Sequence, residues 1–169
     1  GLFSLNDKGH VALMTTNGNP EIDLKALIDE IHMRGLQLPV LLRFNDILRQ
    51  RMQELAGAFS SAMQEEEYTG ADLPVYPMKV NQHRHVVGDI VEQGAVHHFG
   101  LECGSKAELL LALSMHRPSE GVIVCNGFKD VDYVNMALVG RMLGMRIFLV
   151  VEKYSELPLI LDAARRLRD

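Results

Sequence analysis

Residues 73–126 read LPVYPMKVNQHRHVVGDIVEQGAVHHFGLECGSKAELLLALSMHRPSEGVIVCN. Short apolar runs alternate with longer segments of helical spacing. LPVYPMK (73–79), AVHHFGL (95–101) and GVIVCN (121–126) are strand-length and apolar on both faces, as buried parallel strands are. QHRHVVGDIVEQG (82–94) and SKAELLLALSM (105–115) carry helical patterns, the first ending at Gly94. Strand, helix, strand, helix, strand implies a parallel sheet with right-handed crossovers.

The rhythm extends both ways. Upstream, LPVLLRF (38–44) reads as a strand, and the following helix carries Ile47, Leu48, Met52, Leu55, Ala56 and Phe59 on one stripe. Downstream come a helix over 129–144, a strand over 145–151 and a helix over 155–169. That makes about five β–α units. Ser105 and Glu108 have the spacing of a capping box, and Asp130 and Ser155 are placed as N-caps. Pro158 falls in a first helical turn, where its missing N–H does little harm. Nearer the start, Asn6-Asp7-Lys8-Gly9 between two apolar runs predicts a β-hairpin within 2–14. TTNGNP (15–20) is a loop by composition, and Leu24, Leu27, Ile28 and Ile31 share one face of a helix over 22–31, closed by Gly35.

Composition narrows the function classes. Of 169 residues, 47% are hydrophobic and 23% charged, with a formal charge of −5. That is the balance of a globular domain, and it argues against a nucleic-acid partner. No window approaches the ~18–20 apolar residues of a membrane helix. Cys103 and Cys125 sit in apolar surroundings without a CxxC pair, so a cytoplasmic protein with buried, inert thiols is expected. His83, His85, His97 and His98 lack the spacing of a metal site. The run Glu65-Glu66-Glu67 is expected at a solvated helix end.

Two architectures fit the rhythm: an open doubly wound sheet and part of an eight-stranded α/β barrel. Neither G-x-G-x-x-G nor a P-loop occurs, which lowers the nucleotide-binding sheet. In both folds chemistry gathers at the carboxyl ends of the strands. Those ends carry Arg43-Phe44-Asn45, Lys79-Val80-Asn81, Glu102-Cys103-Gly104-Ser105, Asn126-Gly127-Phe128-Lys129 and Glu152-Lys153. Lys79 stands out as a single cation ending an apolar run. From the residues alone it is a snorkelling surface lysine, a phosphate-binding charge or an amine that attacks an aldehyde. The last needs an amine partly desolvated at an apolar mouth.

YPMKVNQHRHVV, FGLECGSKAELLLAL and VCNGFKD, in this order and spacing, resemble the biosynthetic arginine decarboxylases. These are pyridoxal-phosphate enzymes on an alanine racemase-like barrel, related to ornithine and diaminopimelate decarboxylases. The resemblance runs from FSLNDKGHV to VVEKYSELPLILDAARRL. It implies a partial (β/α)8 TIM-type barrel preceded by a short β-hairpin. Residues 1–20 would be the hairpin and loop, packing with an absent β domain. Residues 21–169 would be the first part of the barrel.

The implied activity is decarboxylation of L-arginine to agmatine through a pyridoxal 5'-phosphate Schiff base, in polyamine biosynthesis. Lys79 matches the lysine that holds the cofactor, and Glu102 matches an acidic residue near it. A Mg2+ requirement is associated with the family, without a site here. A homo-oligomer with its active site completed across a dimer interface is implied as well. The phosphate loop and the partner of the pyridine nitrogen would lie on later strands, so the 169 residues alone are expected to be inactive and aggregation-prone. Competing readings are a related decarboxylase or racemase on the same barrel, and a non-catalytic regulatory homologue.

Overall fold

A computed structural model describes residues 2–14, 21–116, 118 and 121–167. The chain divides into two compact units, residues 1–51 and 52–169.

In the first unit, β1 (Phe3–Leu5) and β2 (Val11–Leu13) form the expected antiparallel hairpin. Asn6 closes its turn: the side-chain oxygen accepts the backbone N–H of Lys8 and of His10. Gly9 takes φ +74°, a conformation that costs glycine little. A third strand, β3 (Ile22–Asp23), pairs with β2. The helix expected from Ile22 therefore begins two residues later, as α1 (Leu24–Met33). Asp23 sets that start, because its carboxylate accepts the N–H groups of Lys25 and Ala26 as an N-cap. The loop expected at 15–20 lies outside the described residues.

LPVLLRF (38–44) departs from expectation. Val40, Leu42 and Phe44 are half-buried while Leu41 and Arg43 are exposed, the alternation of an extended chain. Yet no backbone ladder forms there among the described residues, and the segment is irregular. A strand exists only through pairing. Apolar composition supplies an extended chain but not a partner, and Pro39 lacks an N–H to offer one. The helix that follows, α2 (Asn45–Glu65), forms as expected, and Glu65, Glu66 and Glu67 are exposed at its end.

The second unit holds a four-stranded parallel sheet of β4 (Val75–Pro77), β5 (Gly100–Cys103), β6 (Val122–Cys125) and β7 (Arg146–Leu149), in that order. Between them run α3 (Arg84–Gly94), α4 (Lys106–Met115) and α5 (Val131–Met142); α6 (Glu156–Arg166) follows β7. Each strand lies beside its sequence neighbour. Successive helices pack side by side, α3 on α4, α4 on α5 and α5 on α6. A doubly wound sheet would reverse strand order and place helices on both faces. This unit is a partial α/β barrel.

The core lies between the strands and the helices. Leu101, Cys103, Ile123 and Cys125 point toward it from β5 and β6, and Val87, Val91, Leu109, Ala112, Tyr133 and Ala137 meet them from the helices. Alternation then assigns the other face. Pro77, Glu102, Val124 and Phe148, which share one register row across the four strands, face away from the helices.

AVHHFGL (95–101) is a strand only at its end. Gly94 stays helical, Ala95–His97 continues as a 3-10 turn, and His98 turns the chain in the left-handed region at φ 57°. Histidine is among the residues enriched there. The strand therefore starts at Gly100, and Glu102 lies within it rather than beyond it.

Candidate active site

Every carboxyl end of the parallel sheet carries polar groups, but they are held in two different ways. After β4 the chain makes a 3-10 turn, Met78–Val80. Met78 is fully buried, with its sulfur 3.8 Å from that of Cys103, and it anchors the turn to the helix-side core. Lys79, next in the chain, is exposed. Among the described residues no hydrogen bond or ion pair engages its ammonium. The desolvating apolar mouth expected around it is thus not formed by these residues. Asn81 shapes the exit, its side-chain oxygen accepting the N–H of His83 at 3.0 Å, and Tyr76 donates its hydroxyl to the Asn81 carbonyl at 3.2 Å. Burial pushes the Tyr76 phenol upward, so it remains a donor.

On β5, Glu102 is 7% exposed. Its Oε1 accepts the Asn126 side-chain N–H at 2.9 Å. Its Oε2 is buried and has no hydrogen-bond partner among the described residues. A buried carboxylate oxygen without a donor is costly, and such atoms in native sites await a ligand, a proton or a water. Pro77 is the register partner of Glu102, and Lys79 is two residues beyond Pro77. The sheet thus brings Lys79, Glu102 and Asn126 to one end of three adjacent strands.

The loops after β5, β6 and β7 are tied to one another. Ser105 caps α4 by accepting the Glu108 N–H at 3.3 Å, the expected half of the capping box. The Glu108 carboxylate does not return to Ser105. It takes the Gly104 N–H at 2.6 Å and the Gln82 side-chain amide at 2.7 Å. Asp130 caps α5 through the Tyr133 N–H at 2.9 Å. Ser155 occupies its N-cap position but makes no capping hydrogen bond. Glu156 takes over, accepting the N–H groups of Lys129 at 3.0 Å and Glu152 at 2.9 Å.

Beneath this loop Lys129 is buried, its ammonium donating to the Gly127 carbonyl at 2.7 Å and standing 3.5 Å from Glu156. Burial raises the Glu156 carboxyl, but the two backbone donors and the Lys129 charge outweigh it and leave it below the ordinary glutamate range. Gly127 sits at φ +74°, and a Cβ there would lie 2.3 Å from the Gly104 carbonyl oxygen.

Cys103 and Cys125 face one another across β5 and β6 inside the core. Burial pushes both thiols up, Cys125 to about 11 and Cys103 further. Neither is a nucleophile at neutral pH. Tyr133 donates its hydroxyl to the Cys103 carbonyl at 2.9 Å, and burial raises its pKa too. The rings of His83 and His85 meet edge to face at 5.5 Å, because His83 precedes α3 rather than lying on it. Among the described residues no three His, Cys, Asp or Glu side chains gather as a metal site would need.

Comparison with known proteins decides the family. Residues 50–168 match the family described as "Pyridoxal-dependent decarboxylase, pyridoxal binding domain". The chain belongs to the pyridoxal-dependent decarboxylases. Relatives within them include the biosynthetic arginine decarboxylases of Gloeobacter violaceus and Xanthomonas campestris, each 48% identical over 98% and 99% of this chain. That of Phocaeicola vulgatus is 44% identical. The crystal structure of the biosynthetic arginine decarboxylase of Campylobacter jejuni superposes with a TM-score of 0.91 at 33% identity, covering 98% of this chain and 27% of that one. The chain spans about a quarter of the length of the curated relatives it matches, 26% in each of these three.

The residues present suit this family's cofactor. An aldehyde needs an accessible amine, and Lys79 is exposed and unengaged among the described residues. A buried carboxylate oxygen without a donor lies on the neighbouring strand. The strand-end inventory contained Lys79, Glu102, Asn126 and Lys129. What it missed was their pairing, and the role of Glu156. A glutamate in a first helical turn beside a serine was the one visible signal for the latter.

Proposed function

We propose that the protein carrying this chain decarboxylates L-arginine to agmatine with pyridoxal 5'-phosphate, and that Lys79 holds the cofactor covalently. The observation that carries this reading is the exposed Lys79 at the carboxyl end of β4, unengaged among the described residues, one strand away from the buried carboxylate of Glu102, which those residues satisfy at one oxygen only. The names and 44–48% identities of the arginine decarboxylases support arginine as substrate.

When bound, pyridoxal phosphate supplies an aldehyde for attachment and an electron sink for breaking a bond next to the substrate's amino group. The chain's own residues have defined tasks. Lys79 would offer Nζ as the attachment point and would hold or move a proton at that atom. Glu102 presents Oε2 as an acceptor that favours a protonated nitrogen beside it. The 3-10 turn, pinned by buried Met78, holds Lys79 at the rim of the sheet.

In the whole protein the hairpin of β1 and β2, within the expected segment 1–20, packs with a further β domain, and the segment 21–169 begins the barrel. The active site is completed in a homo-oligomer, in the cytoplasm, and these 169 residues alone do not turn over arginine. A Mg2+ requirement belongs to the same reading, with its site not placed on these residues. Among the described residues no helix is long and apolar enough to cross a membrane.

The test is product analysis of the full protein offered arginine, ornithine, lysine and diaminopimelate, beside Lys79→Ala. Agmatine should form from arginine, and the mutant should lose both turnover and the visible absorption of the lysine-bound cofactor. Product from ornithine or diaminopimelate instead would move the substrate to a related decarboxylase. Cofactor binding without any turnover would favour a regulatory homologue.

A further inference from the structure

The loop after β6 is pinned at several points of its backbone. The Asn126 N–H donates to the Cys103 carbonyl at 2.8 Å. The Gly127 N–H donates to the Glu152 carboxylate. The Lys129 N–H and ammonium are held by Glu156 and by the Gly127 carbonyl. Gly127 is packed so closely on Gly104 that only glycine fits. All these bonds fix the backbone on both sides of one side chain, Asn126. That side chain makes the one hydrogen bond the buried Glu102 carboxylate receives among the described residues.

We propose that Asn126 is a positioning residue that orients Glu102 toward the cofactor-bearing lysine. Its amide N–H occupies Oε1, which leaves Oε2 as the free acceptor and holds the carboxylate in one rotamer. Held this way, the negative charge favours a proton on the linkage at Lys79 Nζ. The other charged groups near this end are already committed. Glu108 is bound to Gly104 and Gln82, and Lys129 to Gly127 and Glu156. Glu152 takes the Gly127 N–H, so among the described residues Glu102 is the carboxylate of these strand ends that no backbone N–H holds, and Asn126 is what aims it. The inference rests on Lys79 being the cofactor lysine.

The experiment uses the full protein loaded with pyridoxal phosphate at neutral pH. It compares the parent, Asn126→Ala, Glu102→Gln and the double variant, and reads the ratio of visible-absorbing to near-ultraviolet-absorbing bound cofactor together with the melting temperature. Losing a hydrogen bond to a charged group should lower that ratio about tenfold in Asn126→Ala. Glu102→Gln should lower it as well, and adding Asn126→Ala to Glu102→Gln should change it no further. If Asn126→Ala does not fold, Asn126→Ser, which cannot reach Oε1, takes its place.

A fall in melting temperature with an unchanged ratio would make Asn126 structural only and overturn the proposal. So would an equal effect of the Asn126 change with and without Glu102. Persistence of the visible absorption in Lys79→Ala would instead reject the lysine assignment. That separates failure of the functional reading from failure of this one.

Discussion

The turn after β4 and the loops after β5, β6 and β7 end neighbouring strands of one sheet, yet they are built on opposite plans. In the first, one buried residue, Met78, anchors a short turn, and the polar head of Lys79 is left unengaged among the described residues. In the others, carboxylates from first helical turns reach back to the preceding loops. Glu108 takes the Gly104 N–H and also reaches Gln82, three residues beyond Lys79, and Glu156 bridges Glu152 and Lys129. The difference separates tasks. On the proposed reading, the group that reacts and is released is free of partners among the described residues, while the loops beside it are over-determined. Interlocked loops resist motion because breaking any one bond leaves a buried donor or acceptor unpaired.

That contrast can be broken by experiment. The largest effect should come from Lys79→Ala, with turnover falling by about a thousandfold or more and thermal stability moving by less than about 0.5 kcal/mol. A large loss of stability would mean that the turn, too, is structural. Glu156→Ala should do the reverse. It strips the buried Lys129 ammonium of its counter-charge and should cost about 3–5 kcal/mol in urea unfolding. The same carboxylate sets an acid limit. Its folded pKa lies below the ordinary 4.5, so its contribution is in place above that value and is lost as pH falls through the folded one. Glu156→Gln should therefore flatten the stability profile below that pH.

Gly127→Ala comes next. It forces a Cβ against the Gly104 carbonyl at a positive φ and should cost about 1–3 kcal/mol, with Asn126 displaced. The smallest change is Ser105→Ala, which removes one cap from α4 and should cost about 1 kcal/mol. If it cost as much as Glu156→Ala, the ranking of ties in the interlocked loops would be wrong.

How far the sequence carried the reading depended on the kind of information each element needs. Strand-helix alternation and local caps are written in neighbouring residues. β4, β6, β7 and their helices, and the N-caps Ser105 and Asp130, were legible for that reason. Pairing is not local. LPVLLRF has the composition of a strand but no ladder, and β3 forms from two residues because β2 is there to receive them. AVHHFGL failed at its start because a 3-10 turn, Ala95–His97, follows the end of α3 at Gly94, and His98 turns the chain before the strand begins. The strand ends located the polar residues, but not which pairs meet, since Glu102 and Asn126 lie 24 positions apart and join only when β5 and β6 pair. The lysine stood out in VYPMKVNQ by contrast with its neighbours. Its chemical role came from resemblance, because an exposed lysine at a strand end has several uses.

The most direct test of the account is where the cofactor is attached. The full protein loaded with pyridoxal phosphate is reduced with borohydride, digested and mapped by mass spectrometry. The pyridoxyl group should be found on the peptide containing Lys79. Modification of Lys129, Lys153 or a lysine outside this chain, with Lys79 unmodified, would contradict it.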